Sequence, residues 1–412
     1  MIEDILTLFS QDTLPKALHA ILSWWPAWGT ALALYIGFHE WLAYKEREWI
    51  KAQGSLLLEI KLPNEILKSP ALMEVVIQSM HQAGVGSYTD VYLKGRVRSW
   101  FSLELVSDGG KVHFYIWMHK KWRGAVENAL YAQFPSVEVH EAPDYALPIA
   151  YDTTKYKFAK FAHLILGKAD AYPIKTYIDY GLADDPKEEY KNDPIAPVIE
   201  FLGSLKPGEH AWIQIMIRGH AKEGLKYHRL IVKPDWKVAA ENEIKEIAKK
   251  AKFKTPEDKG GDSKYLSEGQ KDVIKAIERS IEKLAFDSMI RVAYFAEHAS
   301  YNPSNIGGVL GVMKQFSSQT LNSFRPSMYD FDYPWEEFMG RRDRKDRAML
   351  EAYKRRAFFY KPFQGLHDDK SFILTTEEVA TLFHFPSQMV AATPTLARIP
   401  SKKAEAPANL PV

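Results

Sequence analysis

The stretch from Trp100 to Glu141 constrains the fold of this chain more than any other part of its sequence. Between residues 101 and 105, apolar side chains alternate with polar ones, which is the period of a half-buried strand. Asp108-Gly109-Gly110 predicts a tight hairpin, because glycine accepts the positive φ that such a turn requires. The second strand of the hairpin is predicted from Val112 to Met118.

Helices and strands on both sides complete a recognisable unit. Helical spacing runs from Lys120 until Pro135 ends it, and a further strand begins at Val137. Upstream, residues 56–62 predict a strand and residues 71–82 a helix with one apolar face. The order β-α-β-β-α-β is that of a split βαβ, or ferredoxin-like, unit. We therefore predict a ferredoxin-like domain over residues 55–142.

The rest of the chain predicts a second α+β domain over residues 155–318. Its clearest strand is His210 to Arg218, where both faces are largely apolar, as in the interior of a sheet. The pattern fits another ferredoxin-like unit with a helical insertion at residues 236–264, or a different α+β arrangement. Residues 319–390 predict a basic and aromatic helical region with a C-terminal helix, and the proline-rich residues 391–412 predict an extended tail.

Two helix starts carry specific capping residues. Ser267 is a suitable N-cap for a long helix that runs through Lys283. Thr375 opens the C-terminal helix, and Glu378 is placed three residues later for a capping box, until Pro386 ends the helix. Both starts are expected to fix where these helices begin.

An uncharged run near the N-terminus predicts a membrane-spanning helix. Residues 20–38 contain no charged side chain, and a helix of this length spans roughly 28 Å. Tryptophans at the start of the run, with Trp41 and Tyr44 at its end, are typical of interfacial aromatic belts. We predict an N-terminal segment over residues 1–16 and a transmembrane helix over residues 17–44; an uncleaved signal or a buried helix is the alternative.

Basic residues around this run predict its orientation. Lys45, Arg47 and Lys51 follow it, whereas Lys16 alone precedes it. The positive-inside rule then places the C-terminal domains in the cytoplasm. The expected location is a single-pass position in a bacterial inner membrane.

Composition and motifs favour a protein that is not an enzyme. Lys and Arg number 54 against 52 Asp and Glu. Because the net charge is close to zero, the protein as a whole does not attract polyanions such as nucleic acid. Cysteine is absent, which excludes disulfides, thiolate metal sites and cysteine nucleophiles. The sequence has no GxxxxGK[ST], HExxH, GxSxG or GxGxxG pattern. We expect no catalytic, cofactor-binding or metal-binding residues.

The remaining polar candidates have structural interpretations as well. A lone histidine in an apolar strand, such as His113 or His163, is expected to be a hydrogen-bonded interior or boundary residue. Asp330 and Asp332 would suit a divalent ion, but they lie among aromatic residues and favour a packed turn.

One basic segment, Arg341 to Arg356, is followed directly by Phe358, Phe359 and Tyr360. Basic groups neutralise phosphates and aromatic rings stack on bases, so the segment would suit a nucleic-acid surface. Contact with anionic lipid is a second interpretation. A solvated helix with internal ion pairs such as Asp343 with Arg347, followed by aromatic residues in the core, is a third. The candidate contact residues are Arg341, Arg342, Arg344, Arg347, Arg355, Arg356 and Tyr360.

Four runs and the tail share a pattern with a known family. They are LLLEIKLPNEILKSPALMEVVIQSMH (residues 56–81), FSLELVSDGGKVHFYIWMHKKWRGAVENALYAQFPSVEV (101–139), DPIAPVIEFLGSLKPGEHAWIQIMI (193–217), TTEEVATLFHFP (375–386) and the tail KKAEAPANLP (402–411). In this order they resemble the ATPase-associated N-terminal region of bacterial conjugation-type, type IV secretion ATPases. This region also occurs as separate membrane-anchored proteins of unknown function.

The resemblance implies a role without catalysis, since the nucleotide-binding motor of that family is missing from this sequence. It implies a membrane-anchored component or platform that docks a separately encoded secretion-type ATPase. The expected partners are that ATPase, the membrane and further copies of the chain. The alternative is a membrane-tethered nucleic-acid-binding module that uses residues 341–356.

Overall fold

The computed structural model describes residues 23–63, 69–183, 193–222, 224, 235–249, 252–253, 264–327, 340–363 and 370–386. The chain divides into two compact units. One comprises residues 1–52 and 85–97, and the other comprises residues 53–84 and 98–412. The described part of the first unit is helical, and the strands described here belong to the second.

Helices and strands alternate along the chain. The helices are α1 (Trp25–Gln53), α2 (Pro70–Ser79), α3 (Tyr88–Tyr92), α4 (Arg123–Gln133), α5 (Ala196–Gly203), α6 (Trp236–Lys249), α7 (Glu268–Glu282), α8 (Ser304–Gly311), α9 (Arg341–Lys354) and α10 (Thr376–Leu382). The strands are β1 (Ser55–Lys61), β2 (Trp100–Asp108), β3 (Lys111–His119), β4 (Glu138–Ala142), β5 (Tyr156–Leu166), β6 (Glu209–Gly219), β7 (Lys252–Phe253), β8 (Lys264–Tyr265), β9 (Ala285–Glu297), β10 (Phe324–Pro326) and β11 (Phe372–Thr375).

The helical unit is built on α1 and α3. A capping box between Ser87 and Asp90 begins α3. The ring of Tyr92 on α3 stacks on Phe38 of α1, with 6.1 Å between the ring centroids. Gly95 has φ +68°, and a Cβ there would overlap the backbone carbonyl of Lys45. Glycine therefore allows the chain after α3 to approach the backbone of α1 closely.

The predicted transmembrane helix is wrong. Within the described residues, which begin at residue 23, no helix is long and apolar enough to cross a membrane. The uncharged part of α1 ends at His39 and Glu40, and before that point it contains Pro26, Gly29 and Thr30. The sequence-based prediction counted missing charges, whereas crossing a bilayer requires a long run of strongly apolar side chains. The predicted single-pass inner-membrane location loses its support with the helix.

The larger unit contains a nine-stranded antiparallel sheet. Its strands lie in the order β10-β5-β9-β6-β2-β3-β1-β4, and β11 also pairs with β9. In each half, the strands taken in chain order lie as fourth, first, third, second, which is the arrangement of a split βαβ unit. The two halves meet where β2 pairs with β6 from Trp100↔Arg218 to Asp108↔His210. They therefore share one continuous sheet, and the domain boundaries at residues 142 and 155 remain predictions.

The halves differ in how their central strands are connected. The predicted hairpin at Asp108 is confirmed: β2 and β3 pair across it, and Gly109 and Gly110 have φ values of +58° and +86°. In the second half, residues 220–284 separate β6 from β9 and carry α6 and α7. The N-cap at Ser267 is also confirmed, and it forms a capping box with Gln270.

The two faces of the sheet have different chemistry. One face is apolar and forms the main core with residues of α2, α4, α5, α8 and α10. The opposite face, called here the outer face, carries Ser102 and Glu104 of β2 and Gln214 of β6 among aromatic side chains. These polar residues are fully buried, so both faces of the sheet centre are covered.

Replacing Gly110 by alanine should destabilise the protein. The positive φ and the overlap of a Cβ with the carbonyl oxygen of Leu205 both oppose a side chain there. We expect Gly110→Ala to lower the free energy of unfolding by more than about 1 kcal/mol in urea denaturation. Gly307→Ala is the control, because a Cβ at this position in α8 meets nothing within 4 Å. Equal effects of the two substitutions would contradict this account.

Candidate functional site

A row of four buried polar side chains crosses the outer face of the sheet. Glu104 of β2 lies opposite Gln214 of β6, Gln214 opposite Arg291 of β9, and Arg291 opposite His163 of β5. Each of the four is 0% exposed. We call these residues the polar row.

Hydrogen bonds connect the polar row from strand to strand. The Gln214 amide donates to Glu104 Oε1 at 3.1 Å, and Arg291 donates to Gln214 Oε1 at 2.9 Å. Arg291 Nε also donates to His163 Nε2 at 3.2 Å. The predicted interior role of His163 is thus confirmed. His113 lies at the boundary, where its Nδ1 is 2.7 Å from Glu59.

Arg356 lies in the interior, which corrects its assignment to a contact surface. Its guanidinium binds Glu104 through two bonds, Nε to Oε1 and Nη2 to Oε2, both 2.9 Å long. Nη1 binds Asp144 and donates to the carbonyl of Lys354 at 2.8 Å. Arg356 has φ +47°, a conformation uncommon outside glycine, and it turns the chain back toward the sheet after α9. Arg356 therefore fastens α9 to the polar row.

The charges at this point are balanced within the fold. Burial alone would raise the pKa of Glu104, but the charge and hydrogen bonds of Arg356 outweigh it and hold that pKa below its ordinary value. Tyr145 donates to Glu104 Oε2 at 2.8 Å, and its hydroxyl lies 2.7 Å from that of Tyr353. Burial is the main cause that raises the pKa of both tyrosines. The geometry holds a carboxylate and a guanidinium in fixed, fully paired positions.

Tyr360 is also committed to the fold. Its hydroxyl donates to the backbone carbonyl of Arg98 at 3.1 Å, and its ring lies 5.6 Å from that of Trp100. The preceding ring of Phe359 lies 4.4 Å from the guanidinium of Arg218, a cation–π distance. The aromatic run after α9 thus packs on the outer face, where it is not available for stacking on bases.

Beneath these rings, the carboxylate of Asp287 on β9 contacts three basic side chains. Arg218 lies 2.7 Å from this carboxylate, Arg98 3.0 Å and His220 Nδ1 2.7 Å. Burial opposes ionisation of Asp287, but these partners outweigh it and its pKa lies well below its usual range. This cluster closes the outer face beside the polar row.

The other predicted contact residues lie nearer to solvent. Arg341, Arg344, Arg347 and Arg355 are exposed, and Arg342 is partly buried. The guanidinium of Arg347 lies 5.4 Å from the ring of Tyr151, whose hydroxyl donates to Asp343 at 3.2 Å. Acidic residues are interleaved along the same helix. The exposed arginines therefore lie on α9 and at its C-terminal end, whereas Arg356 and Tyr360 bind within the fold.

The C-terminal helix α10 forms a second buried cluster that the sequence did not indicate. Its capping box is confirmed: Thr375 accepts from the backbone N–H of Glu378, whose carboxylate accepts from Thr375. Thr376 donates to Glu74 of α2, and Glu377 accepts from Thr176 at 2.6 Å and Arg279 at 3.1 Å. Helix α10 therefore joins α2, the turn at residues 174–177 and α7.

Glu378 has the most unusual carboxyl of this cluster. Burial raises its pKa to about 7, although it accepts hydrogen bonds from the backbone N–H groups of Thr375 and Ile174 at 2.8 and 2.9 Å. In the part of the chain that the structure describes, no group of three or more acidic or histidine side chains could hold a metal ion. Asp330 and Asp332 lie outside the described residues.

Removing the Arg356 guanidinium should cost much of the stability of the fold. Arg356→Ala leaves Glu104 buried without its counter-charge, so we expect a loss of about 3–5 kcal/mol in the free energy of unfolding. Arg355→Ala is the control: its side chain is 65% exposed, and a change within about 0.5 kcal/mol is expected. Urea denaturation of the two variants compares them, and similar losses would contradict the buried-pair account.

The raised pKa of Glu378 predicts a pH-dependent stability. Between the ordinary glutamate pKa of 4.5 and the raised pKa of about 7, the folded state keeps a proton that the unfolded state has lost. The free energy of unfolding should therefore fall as pH rises through this window, by up to about 3 kcal/mol from this group. Glu378→Gln should remove this part of the slope in denaturation series at pH 5 to 8. Glu268→Gln, at an exposed position, should keep the wild-type slope.

Comparison with known proteins places the chain in a family. No match is found among proteins with curated descriptions. One family model matches residues 42–397, which include the polar row, Arg356 and α10. The description of that family names no activity and gives no link to secretion ATPases, so the resemblance noted above remains a prediction. The chain belongs to the family described as a domain of unknown function, DUF8128.

Proposed function

We propose that this protein is a non-catalytic assembly component that docks a separately encoded ATPase of the secretion type. The resemblance of residues 56–81, 101–139, 193–217 and 375–386 to the ATPase-associated region supports the choice of partner. These runs contain strands and helices of the shared sheet and of α10. These runs form the folded framework and contain no catalytic motif, as is expected of a docking component.

The observation that carries the proposal is the exposed apolar surface of α1. Monomeric proteins seldom expose large contiguous apolar surfaces, and such surfaces mark interaction sites. Trp24 and Leu34 are each 70% exposed, Trp25 is 62% and Tyr35 is 60% exposed. The other large apolar side chains exposed on this segment are Trp28, Leu32, Ile36, Phe38, Trp41 and Tyr44. An assembly partner would cover part of this surface.

The buried ionisable groups support a role without catalysis. Glu104 is held by Arg356, Asp287 by Arg218 and Arg98, and Glu74 by Lys283 at 2.8 Å. Each contact joins segments that are far apart in sequence. A general acid or base needs access to substrate, whereas these groups bind one another and stabilise the fold.

A nucleic-acid-binding module is the second candidate. The observation in its favour is the group of exposed arginines on and after α9, Arg341, Arg344, Arg347 and Arg355. Against it, Arg356 and Tyr360 bind within the fold, and Glu351 lies 3.5 Å from Arg355. The assembly role is therefore favoured.

Purification of the tagged full-length chain from its own cells tests the proposal. We expect a P-loop ATPase to be recovered with it, and the same pair to form a complex after separate purification. Trp24→Ser with Leu34→Ser should weaken that complex at least about tenfold, since hot-spot side chains contribute 2 kcal/mol or more. Leu147→Ser, at a position 64% exposed outside α1, is the control and should bind normally.

Two results would overturn the proposal. One is ATP hydrolysis by the purified chain alone, with an activity that co-purifies with the chain through every purification step. The other is recovery of the chain with nucleic acid and without an ATPase, which would favour the second candidate.

A further inference from the structure

Among the residues that the structure describes, none buries the middle of α1, and the ring of Tyr92 contacts it at Phe38. Every residue from Thr30 to Phe38 is exposed, although the run is almost entirely apolar. A helix in a folded protein normally buries an apolar stripe and exposes a polar one. This part of α1 exposes apolar side chains on both sides, and exposed apolar surfaces of this kind mark interaction sites.

One face of this helix combines a groove with a ridge. Gly29, Ala33 and Gly37 recur at intervals of four residues and so lie along the same face. A Cβ added at Gly37 meets nothing within 4 Å, and one at Gly29 meets only the ring of Trp25 in the same helix, at 3.6 Å. Leu32 and Ile36, 50% and 52% exposed, form the ridge beside this groove.

We propose that a second copy of this chain occupies this face, with α1 of one copy against α1 of the other. The proposal rests on the assembly role proposed above and names the partner at this face. A twofold pair requires a self-complementary surface. Here each copy supplies both a groove and a ridge, so Leu32 and Ile36 of one helix can pack beside the small residues of the other. Small residues also let two helix backbones approach closely.

The area available agrees with a specific dimer. Trp25, Leu32, Ile36 and Tyr44 are between 50% and 62% exposed on or beside this face. With the glycine and alanine surface, covering them removes on the order of 600 Å² per copy. Two copies would bury about 1,200 Å², which is the lower end of the range for stable specific interfaces.

Single cysteines test which face is covered, because the chain contains no cysteine of its own. Ala33→Cys places a thiol in the groove. Ala31→Cys is the matched control, since it changes the same residue type at an exposed position about 160° away around the helix. A disulfide forms only when the two Cα atoms lie within about 7 Å. Under mild oxidation of the purified full-length chain, we expect Ala33→Cys to give at least tenfold more covalent dimer than Ala31→Cys.

Light scattering during size-exclusion chromatography provides an independent measurement. The wild-type chain should have the mass of a dimer, and Gly37→Leu should have the mass of a monomer with an unchanged circular dichroism spectrum. A monomeric wild-type chain, a dimeric Gly37→Leu variant, or equal cross-linking at positions 31 and 33 would each overturn the proposal. No ATPase is present in these measurements, so their failure is distinguishable from failure to bind the ATPase.

Discussion

The large unit depends on the hydrogen-bonded polar row that crosses the junction of its two halves. Glu104 and Gln214 face each other where β2 pairs with β6, and Arg291 continues the row into the second half. A slip of one residue would turn Glu104 and Gln214 into the apolar core and leave them without partners. The row therefore favours the observed strand register over registers shifted by one residue. It sets the register in both halves of the sheet.

The same row explains why α9 packs where it does. The row carries Glu104 and Arg291, and the chain after α9 adds Arg356 while Asp144 adds a second carboxylate. Two cations and one anion are thus buried together, with Asp144 partly exposed beside them, and hydrogen bonds satisfy the planar guanidinium of Arg356. A buried charge is tolerated only under such conditions. Without Arg356, Glu104 would be buried among aromatic side chains and would lack its strongest partner.

The sequence predicted turns and helix caps correctly, but it did not predict that charged side chains such as Arg356 are buried. The hairpin at Asp108, the N-cap at Ser267 and the capping box at Thr375 follow from short-range residue preferences, and each is confirmed. Arg356 was grouped with its basic neighbours because nothing local distinguishes it from Arg355. What separates them is Glu104, which lies 252 positions away. The transmembrane prediction failed for a different reason: it counted missing charges and flanking aromatic residues, whereas the helix is not apolar enough over a long enough run.

The contact between α10 and α2 means that the core beside α2 is completed only after α10 has been synthesised. Thr376, near the end of the described chain, donates to Glu74, 302 positions earlier, and the apolar side chains of both helices share the main core. The hairpin of β2 and β3 needs only neighbouring residues, whereas β6 and β9 must close the long segment between them before they pair. During synthesis, the first half can begin to form early. Its core stays open beside α2 until residues 376–385 leave the ribosome, so a ribosome that stalls before this point would hold a chain with an unfinished interior.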